Sequence, residues 1–89
     1  MDNIIKEFIE VENENAVTLT GYDDAIIGMA YSYGKNPVVL YSIEKVLEKL
    51  MEDGMERDEA FEFFDYNILG SYISENNPIF MMEFEKTKN

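Results

Sequence analysis

Residues 55–73 read MERDEAFEFFDYNILGSYI, the longest run in the chain with helical period. Ala60, Phe61, Phe64, Ile68, Leu69 and Tyr72 recur at three- and four-residue spacings, and Phe63, Tyr66 and Ile73 widen that stripe beyond the one-third face of an ordinary surface helix. So wide a stripe predicts a helix over 56–73 that is covered on more than one side. Its start is marked by Gly54, by Glu56, Asp58 and Glu59 at the positive end of the helix dipole, and by Met55, placed to staple onto Ala60. Gly70 inside the run costs ~1 kcal/mol relative to alanine and predicts close packing against a strand or a second helix. The same helix carries Asp58, Glu62 and Asp65 at i, i+4 and i+7 with no basic residue between them.

Working outward, Ser42 is a good N-cap, and Ile43, Val46, Leu47, Leu50 and Met51 share one face of a helix over 42–53. Only a few residues separate the two helices, which predicts a neighbouring pair. Upstream, residues 16–20, 25–33 and 38–41 are rich in β-branched and aromatic residues, with Gly28 interrupting the second run. Turn signals at 21–24 and 34–37 separate them, so a three-stranded meander is expected. Downstream, residues 74–77 break the helical pattern and Pro78 opens a last strand over 79–84. At the N-terminus, Asp2 or Asn3 can cap a short helix bearing Ile4, Ile5, Phe8 and Ile9, followed by the acidic connection EVENEN over 10–15.

The expected fold class is therefore α+β: a small four-stranded, mainly antiparallel sheet with a helical pair packed on one face, plus a short N-terminal helix. All 89 residues read as one domain, with the N-terminal helix and acidic connection over 1–15, the core over 16–84 and a tail over 85–89. An all-helical bundle is the weaker alternative, because Gly28, Gly34 and Pro37 would interrupt its helices.

Composition excludes much chemistry. There is no cysteine and no histidine, so thiolate metal sites, cysteine nucleophiles, histidine-based triads and zincin-type sites are ruled out. With 19 acidic against 7 basic residues the formal charge is −12, which argues against nucleic acid or an anionic membrane as a direct ligand. A basic protein surface is the natural complement. With neither a secretory leader pattern nor an apolar run near the ~20 residues of a membrane span, a cytoplasmic location is expected. Apolar residues make up 46% of the chain, enough for a core but one that a partner or homodimer would help to stabilise.

A resemblance is carried by Gly21-Tyr22-Asp23-Asp24-Ala25-Ile26-Ile27-Gly28, Pro37-Val38-Val39-Leu40-Tyr41, Asp53-Gly54-Met55 and Phe64-Asp65-Tyr66-Asn67-Ile68-Leu69-Gly70-Ser71-Tyr72, followed by Glu75-Asn76 and Pro78. Over residues 21–82 the chain resembles a family of small proteins encoded by bacterial viruses and prophages. That family has no assigned activity, so the resemblance implies a viral setting, such as that of anti-CRISPR proteins, and nothing about catalysis. Where its members carry a hydroxyl cap before the central helix this chain has Glu56, and the first twenty residues look like an addition.

Several constellations compete with plain structural roles. Asp23 and Asp24 beside Tyr22 could hold a divalent cation, but Asx turn chemistry accounts for adjacent aspartates equally well, and neither metal nor cofactor is expected. Met29, Met51, Met55, Met81 and Met82 suit gap-filling in a small core more than an adaptable binding surface. The acidic spacing is more informative. Glu44, Glu48 and Glu52 stand at i, i+4 and i+8 on the first helix of the pair, and Asp58, Glu62 and Asp65 at similar intervals on the second. Like charges so spaced cost a few tenths of a kcal/mol each, and Lys45, Lys49 and Arg57 offset this only in part.

Such rows either keep a surface solvated or present carboxylates to a basic groove as phosphate mimics. The expected partner-binding residues are Glu44, Glu48, Glu52, Asp58, Glu62, Asp65, Asp23 and Asp24. The expected function is that of a non-enzymatic, virus-encoded inhibitor. Its partner would be a basic nucleic-acid-binding protein of the bacterial host, with a CRISPR effector nuclease first among candidates. A small accessory protein that self-associates through a strand edge or aromatic surface is the alternative, and an enzyme resting on carboxylates, Tyr or Lys comes third.

Overall fold

Ser42 is both the last residue of a strand and the cap of a helix, and the fold turns on that junction. In the computed structural model, which describes residues 1–71 and 74–84, Ser42 closes strand β2 and its hydroxyl accepts a hydrogen bond from the Lys45 N–H at 3.3 Å. The same hydroxyl donates to the Glu83 carboxylate at 2.8 Å, tying the junction to the far end of the chain. The elements in order are α1 (Asn3–Glu12), β1 (Ile26–Ala30), β2 (Val38–Ser42), α2 (Ile43–Glu52), α3 (Arg57–Phe63) and β3 (Ile79–Met81). A single 3₁₀ turn over Asp23–Ala25 precedes β1, and a wide π-helical segment over Phe64–Leu69 continues α3.

Among the described residues the architecture is α+β with a three-stranded sheet in the order β1-β2-β3. β1 and β2 form the antiparallel hairpin read from the sequence, with a bulge between Ile26 and Gly28. β3 runs parallel to β2, pairing Leu40 with Ile79 and Ser42 with Met81. A parallel return requires a long crossover, and α2, α3 and the π segment supply it. The sheet is thus mixed, not mainly antiparallel.

The fourth strand expected over 16–20 is not formed. Ala16, Val17 and Leu19 of that segment are half-buried and Thr18 and Thr20 exposed, but the Val17 N–H donates to the Asn76 carbonyl at 3.1 Å and the Leu19 N–H to the Tyr41 hydroxyl at 2.7 Å. The chain beside Asn76 soon reaches Pro78, which has no N–H to extend a ladder. The last strand is also shorter than the expected 79–84, stopping at Met81. The acidic connection over 10–15 is only partly as read: α1 continues to Glu12, and Asn13 is buried, donating to the Pro37 carbonyl at 2.8 Å and the Asn76 side chain at 3.0 Å. The expected tail over 85–89 lies outside the described residues.

The core joins Val39 and Tyr41 of β2 to Val46, Leu47 and Leu50 of α2, and to Ala60 and Phe64 beyond them, with Ile9 and Ala25 at its border. Alternation along β2 turns Val39 and Tyr41 to the same side, towards the helices. Phe80 of β3 completes the centre, stacked on Tyr41 with ring centres 5.6 Å apart and meeting Phe64 edge to face at 5.2 Å. Met55, just before the Glu56 cap, is half-buried and packs against this cluster.

The helix predicted over 56–73 departs from its reading in two ways, and Tyr72 and Ile73 lie outside the described residues. First, it is not one continuous α-helix. After Phe63 the turns widen, and the Gly70 N–H reaches back five residues to the Asp65 carbonyl at 3.0 Å. A Cβ on Gly70 would stand 3.1 Å from the Asp65 and Tyr66 carbonyl oxygens, so this glycine makes room for its own wide turn, not for a neighbouring strand or helix. Second, among the described residues the helix is covered on one side only. Ala60 and Phe64 are buried and Ile68 half-buried, while Phe61, Phe63, Tyr66 and Leu69 face solvent.

Candidate functional site

The eight acidic residues expected to bind a partner, six read from helical spacing and Asp23 and Asp24 from a turn, do not form one surface; the fold divides them three ways. Glu44, at the start of α2, turns to α3. Its carboxylate accepts two hydrogen bonds from the Arg57 guanidinium, at 3.2 and 2.5 Å. This forked contact holds the Glu44 carboxyl below its ordinary pKa, the hydrogen bonds from Arg57 being the main cause. Glu44 therefore pins the two helix starts together and is largely spent as a free charge.

Glu48 and Glu52, one and two turns further along α2, meet Asp23 and Asp24 across an open cleft of about 530 Å³. Lys45 and Lys49 line the same cleft, so its charge is mixed. Asp23 also accepts the Met1 amino group at 3.2 Å. Tyr22, on the cleft wall, has its phenol pKa raised by partial burial and by the charge of Asp53. Among the described residues no three acidic side chains are grouped as a metal site would need. No helix among them is long and apolar enough to cross a membrane.

The third group is Asp58, Glu62 and Asp65, all exposed along α3 and the π segment, and no ion pair among the described residues reaches any of them. Phe63 and Phe64 keep α-helical dihedrals, so Asp65 follows directly from α3 and the turns widen beyond it. Beside these carboxylates stand Phe61, 45% exposed, Phe63, 37%, and Tyr66, 79%. Exposed aromatics interleaved with unpaired acids are not what solubility alone would select, since large rings in water are the first residues a purely solvating face omits.

Those aromatic residues are the part of the site that spacing analysis missed. The signal was present: the helix has more large side chains than one buried face can hold. Excess width reads equally as burial on two sides or as burial on one side with a sticky outer face. Asn67, which follows Tyr66, is exposed, and its backbone carbonyl accepts the Ser71 hydroxyl at 2.9 Å. The methionines divide in the same manner, with Met29, Met51 and Met55 packed on the core and Met81 and Met82 exposed.

Comparison with protein-family models, with curated proteins and with solved structures found no match to this chain, so the site rests on its own geometry.

Proposed function

We propose that the chain is a protein-binding inhibitor whose outer α3 face docks on a basic, nucleic-acid-binding surface and denies it to nucleic acid. The observation that carries this reading is the pattern on α3 and the π segment: Asp58, Glu62 and Asp65 are exposed, with no ion pair to them among the described residues, and Phe61, Phe63 and Tyr66 are exposed beside them. Carboxylates of one sign steer a basic partner and set orientation, while aromatic rings supply the desolvated anchors that hold most of the binding energy at interfaces. The net charge of −12 extends the attraction beyond contact distance and repels nucleic acid itself.

Inhibition would work by occupancy, without catalysis and without a cofactor. The resemblance to phage and prophage proteins makes a host defence enzyme in the bacterial cytoplasm the target class, and a CRISPR effector nuclease the first one to test. Displacement of fluorescent DNA from a guide-loaded effector, followed by anisotropy at rising salt, tests the reading. Displacement that weakens steeply with ionic strength supports it, and no displacement at low salt overturns it.

A further inference from the structure

Phe61 leaves the core only halfway. Its ring meets that of buried Phe64 edge to face, with 66° between the planes and 6.3 Å between the centres, and Phe64 is in turn packed against Phe80. A phenylalanine on an open helix face exchanges rotamers freely; this one is held by a fully packed neighbour while nearly half of it stays in water.

Carboxylates flank that ring. Asp58 stands three residues before Phe61 and Asp65 four residues after it, spacings that make each a neighbour on the helix surface with Cβ atoms about 5–6 Å away. The helical dihedrals of Phe63 and Phe64 carry this geometry past the end of α3 to Asp65. Glu62, next to Phe61 in sequence, lies one turn from both aspartates. Other charges at the start of α3 are already engaged: the Glu59 carboxylate accepts the Glu56 N–H at 3.2 Å in a capping box, and Arg57 donates to Glu44 from both terminal nitrogens. Arg57 is the only arginine in the chain, and Lys45 and Lys49 of the neighbouring helix line the cleft with Asp23 and Asp24. An opposing cation for Asp58, Glu62 and Asp65 therefore has to come from a partner.

A held ring with carboxylates on either side tells the two basic side chains apart. A lysine ammonium is compact and strongly hydrated, and a carboxylate alone serves it as well. A guanidinium is flat and more weakly hydrated, so it can lie on the ring and fork its N–H groups to a carboxylate beside the ring at the same time. We infer that Phe61, with Asp58 and Asp65, is a seat for an arginine side chain of a partner protein, so that the α3 face reads arginine in preference to lysine. Charge complementarity at this face calls for a basic occupant, and the ring set among the charges selects arginine. A second copy of the chain does not fit: it would set the same three carboxylates against one another, and its one arginine is bonded to Glu44. This rests on the reading of α3 as a face for basic proteins and narrows the partner to one whose basic surface carries arginine.

The probes are the heptapeptides Arg-Gly-Arg-Gly-Arg-Gly-Arg and Lys-Gly-Lys-Gly-Lys-Gly-Lys, equal in charge, each titrated into the ¹⁵N-labelled protein at low salt. The arginine peptide should bind about threefold more tightly or better, with amide shifts centred on residues 57–66. Phe61→Leu keeps an apolar side chain without the ring and should bring the two dissociation constants together by weakening the arginine peptide alone. Phe61→Tyr should keep the preference, and the circular dichroism of both variants should match the parent. Asp58→Asn with Asp65→Asn tests the seat without touching the aromatic cluster, and should also bring the two peptides together. Equal binding of the peptides to the parent, a preference that survives Phe61→Leu, or shifts centred on the cleft of Asp23 and Glu52 would overturn the inference. Displacement of DNA from the effector separates the seat from the proposed target. Arginine preference without displacement supports the seat and overturns the inhibitor reading; displacement without arginine preference does the reverse.

Discussion

Phe64 meets Phe80 edge to face with ring centres 5.2 Å apart, while Phe63, its immediate neighbour, faces solvent. That contact joins the crossover helix to the strand it delivers, so Phe64 reports on the whole parallel return. Phe64→Ala should cost about 3–5 kcal/mol, close to the full stability of a small domain, through lost contacts and the cavity left behind. Phe63→Ala should cost less than about 1 kcal/mol. Urea unfolding of the two variants checks the orientation of the helix; equal losses would reverse it.

Tyr41 is the other side chain on which distant segments converge. Its buried hydroxyl accepts the Leu19 N–H, and burial raises the phenol pKa despite that hydrogen bond. Tyr41→Phe leaves a part-buried N–H without its acceptor and should cost about 1–3 kcal/mol. Faster hydrogen exchange at Leu19 is the specific sign. Because the folded-state pKa is raised, the stabilisation is present below the unfolded value near 10 and is lost as pH rises through the folded one.

The forked Glu44–Arg57 pair carries a pH signature of opposite sign. A lowered folded-state pKa means that its contribution is present above the unfolded value of about 4.5 and fades as pH falls through the lower folded value. Both side chains are partly solvated, so Glu44→Gln should cost only about 0.5 kcal/mol at neutral pH. The difference from the parent protein should vanish in strong acid and shrink in 1 M salt. Paired thermal melts across pH 2–7 measure it.

Local patterns were legible where one residue type has one physical use. Ser42 as a cap, the apolar face of α2, the Gly34 turn and the β1–β2 hairpin could all be read from spacing and turn chemistry. What depended on the partner of a segment was not. Whether residues 16–20 become a strand is decided by what lies alongside, and there Asn76 and Pro78 offer little ladder. The direction of β3 is fixed by the crossover and not by its own residues. At the candidate site, charge spacing found the acids of α3, but Glu44 was removed from the set by Arg57, a residue 13 positions away. The aromatic anchors were hidden because a wide apolar stripe has the same sequence whether its outer side meets core or water.

The central claim is that the ordered acids of α3, not net charge in general, carry the binding. The most direct measurement compares inhibition of DNA cleavage by a guide-loaded CRISPR effector for two charge-matched triple variants. One reverses Asp58, Glu62 and Asp65 to Lys; the other reverses Glu10, Glu14 and Glu75, exposed residues elsewhere, sparing Glu12 and its bond to Tyr31. Both change the net charge equally, and solvated positions tolerate either sign, so both should stay folded by circular dichroism. The account predicts that the α3 variant loses inhibition by a hundredfold or more (about 2.7 kcal/mol), while the control stays within about fivefold of the parent. Equal loss in both variants, or inhibition unchanged in the α3 variant, would contradict it.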